Sequence, residues 1–132
     1  MYRAVIVSAA LALGLQSPTT PRKGGNAESA KIKNPVAATP DSIAAGKRSY
    51  TRFCAKCHGA EGAGDGTGAT GPVAPPDMTD DQWDYGGSDG ELFTVVHDGI
   101  PKSPDMESYA ARMSDTDIWN LVNYVRTLRA KK

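Results

Sequence analysis

The stretch Cys54-Ala55-Lys56-Cys57-His58 constrains this chain more than any other. It holds the only two cysteines and one of only two histidines among 132 residues. Two thiols three positions apart are open to several chemistries: a thioredoxin-like redox pair, half of a zinc site, a plain disulfide, or a thioether anchor. A redox pair belongs between a strand and a helix, and nothing before Cys54 reads as a strand. A zinc site would need a second cysteine pair, since otherwise His58 and His97 must complete it alone. A disulfide leaves His58 without a role. The remaining reading is covalent attachment of one haem c. Each thiol adds to one of two vinyl groups on the same haem edge, and the histidine that follows is set under the iron as proximal ligand.

The rest of the chain divides simply. Arg3 is followed by an apolar run, Ala4 to Leu15, well short of the roughly 20 residues that span a bilayer. We read residues 1–17 as a signal peptide, with an uncleaved anchor as the rival, and expect an exported, periplasmic protein with no spanning segment in its mature form. Residues 18–41, rich in Pro, Gly, Ala, Ser, Thr, Asn and Lys, show no period and read as a flexible lead-in. Residues 42–130 form the one globular domain. Roughly 85 residues is close to the lower limit for a self-sufficient core, and a covalently held ring would staple it.

The domain reads as all-α. Ser42 is a candidate N-cap for a helix running to Phe53 and straight into Cys54. Five glycines in the ten residues from Gly59 to Gly68 rule out a regular helix and let the backbone run close to something bulky. Pro72, Pro75 and Pro76 then keep the chain extended. Thr79 with Gln82 is a capping-box pattern for a brief helical turn through Trp83. Ser88 with Glu91 opens a second helix that stops at Gly99. Ser114 with Asp117 opens a third, whose Ile118, Leu121, Val122, Val125 and Leu128 form one apolar stripe.

A six-coordinate electron-transfer iron needs a second axial ligand. Met78, Met106, Met113 and His97 are the candidates. Met106 lies in an irregular loop stiffened by Pro101 and Pro104, Met78 follows a proline pair and is better placed to pack on the ring, and Met113 adjoins a helix cap. Tyr50, Phe53, Phe93 and Tyr109 read as haem-pocket or core residues, and Trp83 and Trp119 as packing. Arg112 reads equally as a haem-propionate partner or as exposed. Lys plus Arg and Asp plus Glu both total 15, which gives no reason to expect nucleic-acid binding. The distribution is uneven. Nine acids and no Lys or Arg lie between His58 and Pro101, so a redox partner with a basic docking patch is expected.

The motifs taken in order resemble the small mono-haem cytochromes c with His–Met ligation, the class I family. They are Gly46-Lys47-Arg48-Ser49-Tyr50, Cys54 to Gly59, Gly64-Asp65-Gly66, Pro75-Pro76-Asp77-Met78-Thr79, Ser88 to Phe93, Gly99-Ile100 and Ile118 to Arg126. The resemblance implies a cytochrome c-like fold of three to five helices around one covalent haem, with the first and last helices crossing where Gly46 meets Tyr124. It implies that the Pro76 carbonyl accepts the proton of His58's other ring nitrogen, with Pro72 the alternative, and that Met78 lies on the ring. It implies Met106 as the second metal ligand beside His58, although Glu107 stands where family members often carry proline. The expected function is single-electron transfer in a respiratory or dehydrogenase chain. The alternatives are a dedicated subunit of one oxidoreductase complex and, further off, a haem gas sensor. No acid–base pair adjoins a substrate pocket, so catalysis by this chain alone is not expected.

Overall fold

The computed structural model describes residues 18–129; the apolar start that reads as a signal peptide lies outside them, as does residue 130. Among the described residues there are five helices and no strand: α1 (Ala27–Ala30), α2 (Pro40–Phe53), α3 (Ala55–His58), α4 (Asp89–Asp98) and α5 (Asp115–Leu128). The described residues are all-α, as the sequence predicts.

Local chemistry sets the helix ends. Ser88 and Ser114 each accept from the backbone N–H three residues on, while Glu91 and Asp117 reach back to the caps. Gly99 ends α4 at φ +73°, a conformation that costs glycine little. Helix α2 starts two residues before the expected cap. Thr39 caps it with Pro40 in its first turn, where a missing N–H costs nothing. Ser42 is thereby freed to join α5. The turn expected at Thr79 does not become a helix. The Asp77 carboxylate takes both the N–H and the hydroxyl of Thr79, and Asp80 takes the N–H of Gln82, so local side chains win the donors a helix start needs capped.

The core lies between α2 and α5, the most extensive helix pair. Ile118, Leu121, Val122 and Leu128 of α5 are essentially inaccessible, each such side chain contributing roughly 1.5–3 kcal/mol by leaving water. The helices cross where a Cβ on Gly46 would overlap the Asn120 carbonyl and lie 2.8 Å from Tyr124 Cβ. Any side chain there forces the backbones apart. Tyr124 also packs on Tyr50, ring centroids 5.3 Å apart.

Residues 18–39, most of the stretch expected as a flexible lead-in, run as a strap against α4 and α5. Asn26 caps α1 with its Oδ1, gives its Nδ2 to the carbonyls of Pro18 and Thr20, and gives its backbone N–H to Glu91 Oε1 at 2.8 Å. Further along, Asn34 donates to Asn123 Oδ1, and Asn123 donates to the Val36 carbonyl and to Ser42 Oγ. These contacts are polar and single, so they leave no periodic trace in the sequence.

Candidate functional site

The chain between α2 and α3 turns at Cys54, whose carbonyl accepts from both Cys57 (3.1 Å) and His58 (2.9 Å). One turn therefore carries both thiols and the imidazole. The glycine-rich segment folds back on that turn: Gly64 donates to the His58 carbonyl and Gly68 to the Lys56 carbonyl, each at 2.9 Å. Gly66 and Gly68 press on the cysteine turn itself, while Gly62 meets Leu128 and Gly64 meets the Pro75 carbonyl. Tyr50 ties the same region to α2, its hydroxyl donating 2.6 Å to the Gly59 carbonyl.

This turn opens on a cavity of about 450 Å³. Its walls include Cys54, Cys57 and His58 on one element, Pro72 to Pro76 and Met78 on the next, and Met106, Tyr109 and Met113 beyond α4. Leu92, Val95 and Val96 of α4 and Leu121, Val122 and Val125 of α5 complete an apolar lining. Three of the four axial candidates thus face one cavity. His97 does not; it lies on another face of α4, its Nδ1 2.6 Å from Asp98 Oδ1. Met78 and Met113 are buried in the core at 9 % and 6 % exposure, while Met106 is half-buried in its loop.

His58 Nδ1 is fully buried and has no hydrogen-bond partner of full geometry. Burial holds the imidazole below its ordinary pKa, and the backbone of Pro76 partly offsets this. Proline has no N–H, so the Pro76 group acting on the ring is its carbonyl. A neutral imidazole with its Nδ1 proton toward that carbonyl leaves Nε2 as the lone-pair nitrogen, the form that ligates iron. Burial, with the neighbouring Cys57, pushes the Cys54 thiol up to about 12. It is held neutral, as the sulfur of a thioether also is. Among the described residues no group of three or more His, Cys, Asp and Glu side chains converges to hold a bare metal ion. A buried neutral histidine, two unpaired thiols and an apolar cavity fit haem c.

Other residues take clear places. Phe53 and Tyr109 meet edge to face at 6.0 Å, and Tyr109 donates its hydroxyl to the Phe53 carbonyl. Trp83 lines the cavity, with the Arg126 guanidinium 6.0 Å from its ring. Phe93 faces away from the cavity, stacked between Trp119 at 4.1 Å and His97 at 5.4 Å. Arg112 pairs with Glu107 at 2.7 Å. Sequence reasoning missed Asp105, whose carboxylate accepts from the N–H and hydroxyl of Thr70 and from the N–H of Gly71.

A sheet-free helical fold built around a Cys-x-x-Cys-His turn is that of a small c-type cytochrome. Comparison with known proteins is more specific. The family described as cytochrome C oxidase, cbb3-type, subunit III matches residues 41–125, and the chain belongs to that family. The cbb3-type cytochrome c oxidase subunit CcoP of Azospirillum is 31 % identical over 99 residues, covering 75 % of this chain and 33 % of its own. Subunit FixP of Azorhizobium caulinodans is 32 % identical over 91 residues, covering 64 % and 29 %. The chain spans a third or less of the length of these curated relatives. Among solved structures, a chain of the reducing HAO-like protein complex of Kuenenia stuttgartiensis superposes with a TM-score of 0.65 at 33 % identity, covering 74 % of this chain and 49 % of that one. Cytochrome cL of Methylophaga aminisulfidivorans shares the fold, with a TM-score of 0.56 at 22 % identity over 79 % and 61 % of the two chains.

Proposed function

We propose that this chain carries one haem, joined to Cys54 and Cys57, with His58 as proximal and Met106 as distal ligand, and that it passes single electrons as a subunit of an extracytoplasmic respiratory complex. The observation that carries this reading is the meeting of both thiols, His58 and Met106 on one apolar cavity. Haem bound there supplies a one-electron couple, and a thioether ligand favours its reduced state. The residues supply the setting. Pro76 orients His58, Met78 packs where the ring would lie, and the aliphatic walls keep water and the dielectric low, which tunes the potential.

The sequence places single-electron transfer in a respiratory or dehydrogenase chain first and a dedicated subunit of one complex as its alternative. The relatives, named as oxidase subunits, support the subunit reading instead. The apolar start of the chain supports export, and its partners are then other redox proteins, at least one of them with a basic docking patch. Among the described residues no helix is long and apolar enough to cross a membrane.

The test is expression of the full chain in a host able to attach haem, followed by denaturing mass measurement. The expected mass is the polypeptide plus one haem, lost when Cys54 and Cys57 are both replaced by Ala. Polypeptide mass alone from that host would sink the reading. Affinity isolation from the native membrane then separates the two roles: stoichiometric recovery with an oxidoreductase supports the subunit, and recovery alone supports the carrier.

A further inference from the structure

Local bonds hold the loop bearing Met106 only in part. Ile100 N–H donates to the Met106 carbonyl at 2.8 Å, and Ser103 Oγ accepts from Met106 N–H at 3.1 Å. Both bonds stay within the loop. Asp105 reaches out of it. Its Oδ1 accepts from the N–H and the hydroxyl of Thr70, both at 2.8 Å, and its Oδ2 accepts from the N–H of Gly71 at 2.6 Å. Thr70 and Gly71 belong to the segment that runs on to Pro76 beside His58. Asp105 therefore fastens the cavity wall on the Met106 side to the segment leading to Pro76, in addition to the Tyr109 hydroxyl that reaches the Phe53 carbonyl. Bonds to a carboxylate are the stronger kind, and three of them converge here.

Gly71 makes the fit close. A Cβ there would overlap Asp105 Oδ2 and lie 3.2 Å from Pro104 Cγ. The carboxylate occupies the space a side chain would take, so a Cβ at residue 71 would push the carboxylate from its present place.

We propose that Asp105 is a clasp, a positioning residue that fastens the Met106 loop across the cavity mouth and sets how readily the Met106 thioether is released from the iron. The proposal rests on Met106 as distal ligand. In the haem-loaded chain, release would break the sulfur–iron bond, an added ligand's nitrogen would take its place, and no electron would be transferred.

The test uses the oxidised, haem-loaded full chain with imidazole as the added ligand, read through the weak far-red absorption band of methionine-ligated ferric haem. Met106→Ala is made first and should abolish that band. Asp105→Ala and Gly71→Ala should keep the band but speed imidazole-for-methionine exchange, each on the order of tenfold, the scale of losing one or two hydrogen bonds. Asp105→Asn keeps one oxygen for Thr70 and cannot accept from Gly71, so it should fall between. Thr70→Val, added to Asp105→Ala, should have less effect than it has alone. A merely structural Asp105 would lower the melting temperature and leave the exchange rate at the wild-type value. That result, with the band lost in Met106→Ala, overturns the clasp and spares the ligand reading. A band that survives in Met106→Ala overturns the ligand reading and the clasp's role with it.

Discussion

Met78 and Met106 line the same cavity but differ in what holds them. Met78 is 9 % exposed within the main core cluster, its N–H bonded to the Gly62 carbonyl at 2.7 Å. Met106 sits half-buried in a loop that the rest of the chain fastens from outside. Met78→Ala should therefore cost stability, roughly 2–5 kcal/mol for a buried methionine, and leave the far-red ferric band in place. Met106→Ala should do the reverse, abolishing the band and lowering the reduction potential with little change in the melting temperature. The band measured in both variants decides, and an exchanged pattern would put Met78 on the iron. Glu91 is another single residue with an unusual position. It is 8 % exposed, and burial by itself would raise its pKa. The backbone and hydroxyl of Ser88 and the N–H groups of Asn26 and Gly87 outweigh burial and bring it below the ordinary glutamate value. A depressed folded pKa means stability that is present above the unfolded value and lost as pH falls through the folded one. Acid melts of the wild type should lose stability through and below the ordinary carboxylate range, and Glu91→Gln should lose less across that window after starting lower at neutral pH. Parallel acid melts would show that Glu91 contributes nothing to the pH dependence.

At the scale of elements, what could be read in advance followed from how far each signal reaches. The boxes at Ser88 and Ser114 lie within four residues and have no stronger competitor, so α4 and α5 begin where the sequence places them. The Thr79 box has the same pattern, but Asp77 just before it and Asp80 inside it take the donors first. The Cys54–His58 turn was legible because its chemistry is local. The clasp was not, since Asp105 and Thr70 are 35 positions apart and neither belongs to a periodic segment. The strap was hidden for a related reason: its composition is that of a mobile chain, and it is held by a few asparagines rather than by an apolar face. Asn123 is the knot of that arrangement. It is 6 % exposed and joins the strap, α2 and α5 through Asn34, Val36 and Ser42. Asn123→Ala removes three hydrogen bonds, one buried and two half-buried, and leaves the Val36 carbonyl without its donor, at about 1–3 kcal/mol for such a loss. The urea midpoint should fall while the slope of the transition stays constant. An unchanged midpoint would mean that the strap contributes no stability through this knot.

Over the whole molecule, the nine acids between His58 and Pro101 suggest strong steering of a cationic partner, but the fold spends part of that charge internally. Glu91 is buried against its hydrogen-bond donors, Asp89 pairs with Arg126, and Asp81 pairs with Arg129. The charged side chains lining the cavity also have both signs: Lys23 and Lys102 with Asp84 and Asp105. A chain of zero formal net charge with a mixed rim should attract a cation only weakly at long range. The measurement is the second-order rate of electron exchange with a small cationic redox reagent and with an anionic one, as salt is raised from low to physiological strength. Surface charges are screened beyond about 8 Å at the upper end of that range. The cationic reagent should slow by about tenfold or less, at the bottom of the range for electrostatic steering, and the anionic reagent should speed up slightly. A hundredfold fall would mean that the acids gather on one face around the exit for electrons. Two flat lines would leave them as solvation, and the basic docking patch proposed for the partner would lose its support.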